Sequence, residues 1–499
     1  MHNCMGYFDL IKKYFFRHHF HFVLLLFFFC LNGYHNFRTL ADPASFLSFF
    51  SFVFSIVLFF YFLLLRFLKN KQKSGLLTFY FLFIFLFFGN IEDVFAKIQW
   101  LVYLSEPRFF LPLLFIVSIV VVYKICTIRK THNFHIFLNL VLFVWIVYEI
   151  VVMSWPISNQ KHRSVIESRL NILTPENTIP VYWVILDEYA GDSVLLSDYE
   201  FNNTRFKDQM KSIGFGDIAK TKANYPLTVY SIASMLNMDY LPTAALHQNY
   251  AYGYKYALSA LRDNGLVEIF SHWGYDIRNY SFFDFKKAPA YFSNSLWGGG
   301  VRAFTARCMH IRLYKHFFSF ADKNHFGWFA NYERSHNYKH IMDVLHETRK
   351  TITDSGRPSF NFIHFIAPHK PFLFDSVGGN LTMSSQMKDQ KDFNKKAYIW
   401  SVQKMNQLMI DWSKDIIKKH KGKVVIMIMS DHGPAGKRYK GRSLDNLSIV
   451  YTPLRNYRGW YQGISNVNQG RVLLNQVFGQ NIPLLKDSLY RLTIVNQSD

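Results

Sequence analysis

The chain has 499 residues, half of them hydrophobic and 18% aromatic, with only 18% charged and a formal net charge of +22. That balance excludes a disordered chain or a collagen-like fibre, and Cys4, Cys30, Cys126 and Cys308 offer no disulfide framework. The apolar residues are too unevenly spread for one ordinary soluble domain. The basic excess suits an anionic membrane face, an anionic substrate or a nucleic acid.

Five apolar runs rich in Phe, Leu, Ile and Val come first, at about 18–34, 45–65, 76–91, 109–123 and 134–153. A membrane span needs about 20 apolar residues, with a range of about 17–25. Five such runs in series predict a polytopic α-helical membrane anchor over 1–155. The loops alternate in charge. Lys12, Lys13 and Arg17 precede the first run, Arg66, Lys69, Lys71 and Lys73 follow the second, and Lys124, Arg129 and Lys130 follow the fourth. The other loops balance Arg38 with Asp42, and Lys97 and Arg108 with Glu92, Asp93 and Glu106. The positive-inside rule then puts the N-terminus in the cytoplasm and everything after Trp155 outside. The first run has the length of a signal-peptide core, but no small-residue cleavage pattern follows it. Glu149 falls within the fifth run, near its outer end, where a carboxylate is either functional or reaches the interface.

A tether is expected over 156–178 and an α/β domain over 179–499. Val181–Leu186 reads as a buried strand ending in Asp187-Glu188. Residues 201–213, 228–237, 254–273, 336–352, 391–419 and 471–478 read as helices, and 275–280, 360–366 and 424–429 as strands. Continuous apolar strands alternating with helices predict a mostly parallel sheet covered on both faces. Residues 285–335 read as irregular, an insertion near the site or over the membrane.

Ligands of open α/β sheets sit beyond the carboxyl ends of strands. Asp187 follows the first strand, His369 follows 360–366, and Ser430-Asp431-His432-Gly433 follows 424–429. Thr228 opens a helix after Asn224-Tyr225-Pro226-Leu227. Together Asp187, Thr228, Asp431 and His432 offer oxygen and imidazole ligands for one divalent ion, either zinc, manganese, magnesium or calcium. A threonine oxygen on that ion becomes a nucleophile. Taken singly, Thr228 is equally a helix cap, and Asp187 or Asp-His-Gly a plain turn.

The segments V-Y-W-V-I-L-D-E-Y, N-Y-P-L-T-V-Y-S-I-A-S-M-L-N, H-F-I-A-P-H-K-P-F and V-V-I-M-I-M-S-D-H-G carry a resemblance over about 180–455. The chain resembles the alkaline-phosphatase superfamily, in the membrane-anchored sulfatase-like branch of lipoteichoic-acid synthases and lipid A phosphoethanolamine transferases. The resemblance implies that Asp187, Thr228, Asp431 and His432 bind the metal. It also makes Thr228 the nucleophile and places His369 near the substrate anion. Glu188 stands where many sulfatases carry a further metal carboxylate. Thr228 itself stands where true sulfatases carry the Cys or Ser that becomes formylglycine, which threonine cannot form.

The expected function is therefore transfer or hydrolysis of a phosphate ester outside the cytoplasmic membrane, on a membrane lipid or an anionic envelope polymer and not on nucleic acid. The alternatives are a sulfuric ester hydrolase on the same site, an inactive envelope scaffold of this fold and, least in keeping with the large charged portion, a polytopic transporter.

Overall fold

The computed structural model describes residues 19–40, 42–154, 172–242, 250–291, 298–323, 327–350, 357–381, 390–436 and 441–490; most of the tether expected at 156–178 lies outside them. The chain divides into two compact units, Met1–Gln160 with Asn294–Phe320, and Lys161–Ser293 with Ala321–Asp499.

The first unit is built on α1 (His21–Phe37), α2 (Pro43–Leu68), α3 (Lys71–Lys97), α4 (Pro107–Thr127) and α5 (His132–Ser154). The last four are long and apolar enough to cross a membrane, and α1 is an apolar helix of 17 residues, at the short end of the spanning range. Local chemistry sets the helix ends. Asp42 caps α2 by accepting from the Ser45 N–H at 2.9 Å, ahead of Pro43. Lys69 closes α2 in the left-handed region, and Asn70 caps α3 by accepting from the Lys73 N–H at 3.1 Å. Two residues thus reverse the chain between two long helices.

Exposed positions such as Phe59, Phe62, Phe115, Ile116 and Val144 are apolar, the pattern of a lipid-facing surface. Polar side chains meet inside instead. Glu149 is buried and accepts from Asn32 Nδ2 at 2.6 Å, with His35 Nδ1 at 2.8 Å. It is held within the bundle rather than reaching out to the interface.

The second unit contains β1 (Val181–Leu186), α6 (Asp192–Tyr199), α7 (Thr204–Ser212), β2 (Gly216–Asp217), α8 (Thr228–Asn237), α9 (Tyr250–Arg262), α10 (Gly265–His272) and β3 (Asp276–Tyr280). The chain then runs through α11 (Gly298–Thr305) and α12 (Met309–Lys323). It returns with α13 (Gly327–Lys350), β4 (Ser359–Phe365), α14 (Gln390–Lys419), β5 (Val425–Met429), the two-residue strands β6 (Ala435–Gly436) and β7 (Gly441–Arg442), β8 (Ser448–Tyr451) and α15 (Asn466–Phe478).

The region read as irregular therefore holds helices. Phe304 of α11 sits among Phe29, Phe46 and Phe49. Arg312 of α12 meets Asp93 at 2.6 Å, and His316 meets Glu92 at 2.7 Å. These partners lie more than 200 residues earlier, so no local period announces the two helices.

The main sheet has the order β2-β8-β5-β1-β4-β3. β1 pairs in parallel with β4 and β5, β4 with β3, and only β8 runs against its neighbours. Side chains of β1 alternate between two cores. Val181, Trp183 and Ile185 enter one with Phe360, Phe362, Val425, Met427 and α8, while Tyr182, Val184 and Leu186 enter the other with Ile426, Ile428 and α14. This two-sided burial is why the strand is apolar without interruption.

One helix departs from expectation. The segment 254–273 breaks at Asn264, whose Oδ1 accepts from the Val267 N–H at 3.0 Å while its Nδ2 donates to Leu261 O at 2.8 Å. One side chain thus ends α9 and caps α10. Asn264→Ala should lower stability by about 1 kcal/mol and Asn264→Asp by less, read as shifts in the denaturant midpoint.

Candidate metal and catalytic site

Side-chain alternation places the site. Position 187 continues the face of Trp183 and Ile185, position 431 continues that of Met427 and Met429, and His364 pairs in register with Ile185. All three lie on the face packed by α8, which begins with Thr228. Sheet register thus brings together residues far apart in the chain.

Asp187 is buried and its backbone is tied at both ends. Its N–H donates to Phe365 O at 3.0 Å, and its carbonyl accepts from the His369 N–H at 3.1 Å. Oδ2 lies 3.3 Å from His364 Nε2, an ion-pair distance without hydrogen-bond alignment, and Oδ1 is buried without a hydrogen-bond partner. Burial alone would raise this carboxyl. The imidazoles beside it, His364 foremost and then His369 and His432, outweigh it and hold the group down at about 2. Asp187 is therefore a carboxylate throughout the neutral range.

Asp431 is fully buried. Its Oδ1 accepts from the Glu188 N–H at 3.1 Å and from its neighbour's N–H, that of His432, at 2.8 Å, while Oδ2 has no hydrogen-bond partner. The Asp431 carbonyl accepts from Ser231 Oγ at 2.6 Å and Asn466 Nδ2 at 3.1 Å. Ser231 stands one turn after Thr228, so this bond fixes α8 against the loop.

His432 is also fully buried. Its Nδ1 lies 3.0 Å from Gly433 O. A carbonyl only accepts, so Nδ1 carries the proton and Nε2 keeps its lone pair. Nε2 lies 3.2 Å from Thr228 Oγ1 and 3.2 Å from Asp431 Oδ2. Gly433 leaves no room for a side chain, because a Cβ there would stand 2.7 Å from Asp445 O.

Thr228 does not serve as the helix cap. Leu227 occupies that position in extended conformation, and Thr228 is the first helical residue, half-buried with its hydroxyl toward His432. Thr228 thus stands at the N-terminal end of α8, and a helix N-terminus is a favourable place for an anion.

His369 lies further out. Its ring is anchored through Nδ1 to the Lys370 carbonyl, and Nε2 stands 3.6 Å from Glu188 Oε1. Glu188 has φ +57°, in the left-handed region. Its carbonyl accepts from Tyr398 Oη at 2.8 Å. Burial pushes the Tyr398 hydroxyl well above its usual range, so it remains a donor.

Ligand atoms of Asp187, Asp431 and His432 all lie within 4.8 Å of one another. Two carboxylate oxygens buried without partners, beside an imidazole lone pair, are costly unless a cation joins them. The residues present fit a divalent ion. Thr228 adjoins this group, and His369 is tied to it through Glu188 and the backbone of Asp187. Sequence reading missed His364. It is one of three polar residues, with Ser359 and Asn361, in the otherwise apolar strand Ser359–Phe365, and the one nearest the strand's carboxyl end.

No family model matches the sequence, and no curated protein matches it. Among solved structures, the chain is similar to the integral membrane lipooligosaccharide phosphoethanolamine transferase A of Neisseria meningitidis, with 13% identity, 90% of this chain and 94% of that chain covered, and a TM-score of 0.36. It is also similar to the periplasmic domain of phosphoethanolamine transferase EptC of Campylobacter jejuni, at 13% identity, 62% and 92% coverage and a TM-score of 0.38. A putative sulfatase of Bacteroides fragilis is similar at 12% identity, 61% and 75% coverage and a TM-score of 0.38.

Asp431→Asn keeps an acceptor for the N–H groups of Glu188 and His432 but removes the charge. The variant should lose one divalent ion per chain relative to wild type, by elemental analysis, with its melting temperature in the metal-free state nearly unchanged. Equal metal content in both would show that Asp431 is not a ligand.

Proposed function

We propose that the chain is a membrane-anchored, metal-dependent enzyme that moves a phosphate-ester group to an acceptor outside the cytoplasmic membrane. The observation that carries this reading is the placement of Thr228 Oγ1 at the start of α8, hydrogen-bonded at 3.2 Å to Nε2 of His432, beside the Asp187 and Asp431 carboxylates, each with one buried oxygen that has no hydrogen-bond partner. A hydroxyl in that setting is placed to act as a nucleophile on the electrophilic phosphorus of an anionic ester.

Asp187, Asp431, His432 and Thr228 would hold the divalent ion, with zinc or manganese favoured over magnesium or calcium by the imidazole. When bound, the ion supplies positive charge that stabilises a threonine alkoxide and the phosphoryl oxygens. Thr228 Oγ1 passes its proton to solvent water and bonds to phosphorus as the bond from phosphorus to the ester oxygen breaks. The first-turn N–H groups of α8 orient the non-bridging oxygens. His369, oriented by Glu188 and the Lys370 carbonyl, hands a proton to the leaving oxygen. An acceptor alcohol or water then attacks the phospho-threonine, giving its proton back to His369, and Thr228 leaves and regains a proton from water. The substrate class is a membrane lipid or an anionic envelope polymer, in keeping with the apolar helices of the first unit and the chain's net charge of +22.

Thr228→Ala should abolish turnover while the metal stays bound through Asp187, Asp431 and His432. Thr228→Ser should keep part of the activity. With acceptor withheld, the peptide Asn224–Asn237 should gain the mass of the transferred group. An active Thr228→Ala protein would reject this mechanism.

The charge alternation of the loops adds an orientation. A reporter fused after residue 160 should be active only outside the cytoplasm, and cytoplasmic activity would reject an external enzyme.

A further inference from the structure

Three histidines meet inside the first unit, in a place the proposed reaction does not use. His19 precedes α1, His21 opens it, and His135 lies in the first turn of α5. One ligand nitrogen from each lies within 4.8 Å of the others. His21 is 0% exposed and His135 1%. They lie at the end of the bundle where Lys71 and Lys73 begin α3 and Lys124, Arg129 and Lys130 join α4 to α5.

We propose that His19, His21 and His135 form a second metal site, for a borderline transition ion such as Zn²⁺, Cu²⁺ or Ni²⁺. Imidazole suits these ions, and three imidazoles with one open position are a familiar donor set for them. The chain is built to hold the rings close. Gly75 of α3 faces them, and a Cβ there would stand 3.0 Å from His19 Cβ and 3.5 Å from His21 Cε1. Phe79 closes the site edge-on to His21, with ring centroids 5.3 Å apart.

The present geometry is that of a pair sharing one proton. His21 Nε2 and His135 Nδ1 are 2.7 Å apart, with rings 14° from parallel and centroids at 5.0 Å. A hydrogen-bonded pair accounts for two rings, yet a third stands with its centroid 4.3 Å from that of His135. Two nitrogens on one tetrahedral ion with bonds of about 2.0–2.1 Å stand about 3.3 Å apart. Opening the pair by about 0.6 Å therefore admits the ion. Neutral rings bind without losing a proton. If His21 carries the shared proton, it takes it on Nδ1 instead of Nε2.

The test uses the full-length Asp431→Asn protein in detergent micelles, stripped by a chelator and titrated with Cu²⁺. It should bind one ion per chain tightly, and electron paramagnetic resonance should show coupling to three imidazole nitrogens. Adding His135→Gln should reduce the affinity at least tenfold. Absence of tight uptake, or a spectrum with one coupled nitrogen or none, would overturn the proposal whether or not the His135→Gln protein folds. Unchanged uptake in a folded His135→Gln protein would overturn it as well. The nitrogen count separates this site from the Asp187–Asp431–His432 group, which offers a single imidazole, so it stands or falls apart from the catalytic reading.

Discussion

Burial of β1 on both faces governs most of the second unit. Every side chain from Val181 to Leu186 is inaccessible to water, and a polar group in that stretch would need a partner inside the sheet. The polar residues collect instead where the strand ends, at Asp187. β5 obeys the same constraint and ends at Ser430-Asp431-His432. Parallel pairing of β1 with both β4 and β5 aligns those ends. The result is a polar edge on an apolar platform, and the period of two sends Asp187 and Asp431 to the face that α8 covers.

Rigidity at that edge comes from main-chain hydrogen bonds as much as from side chains. Asp431 Oδ1 holds the backbone of Glu188, and the Asp187 carbonyl holds the backbone of His369. Ser231 and Asn466 hold the carbonyl of Asp431. The Gly433 carbonyl selects the tautomer of His432. Ligand-type atoms of Asp187, Asp431 and His432 are thereby held within 4.8 Å of one another, with Asp187 Oδ1 and Asp431 Oδ2 buried without hydrogen-bond partners. Such an arrangement is unfavourable by itself, which is the physical case for a cation there.

The first unit solves the opposite problem. Its outer surface is apolar, so polar side chains must find one another within the bundle. Among the described residues they do so, for example, where Glu149 meets Asn32 and His35, where Glu92 and Asp93 meet Arg312 and His316, and where three histidines gather around His135. The second group draws α12 into this unit, although more than a hundred residues of the α/β unit precede it in the chain.

Periodicity and run length were enough to read the helical anchor, the parallel strands β1, β4 and β5, the start of α8 and the residues Asp187, Thr228, His369, Asp431 and His432 as candidates. These are local signals, because a strand buried on both faces and a lipid-facing helix each write their surroundings into consecutive residues. β8 and β2 have four and two residues, too short to carry a period, and were not foreseen. The break at Asn264 depends on one side chain choosing to cap rather than continue a helix. α11 and α12 are stabilised by contacts with α1, α2 and α3, and no neighbour in sequence reveals that. His364 beside Asp187, the left-handed turn at Glu188 and the tautomer of His432 exist only once the sheet is in register. His21 and His135 lie 114 residues apart, and only the packing of α1 against α5 turns two histidines in apolar runs into a pair. The sequence by itself determined which segments must be buried, whereas the tertiary structure decided which polar groups meet, because hydrogen bonds and ion pairs depend on distances that no local pattern encodes.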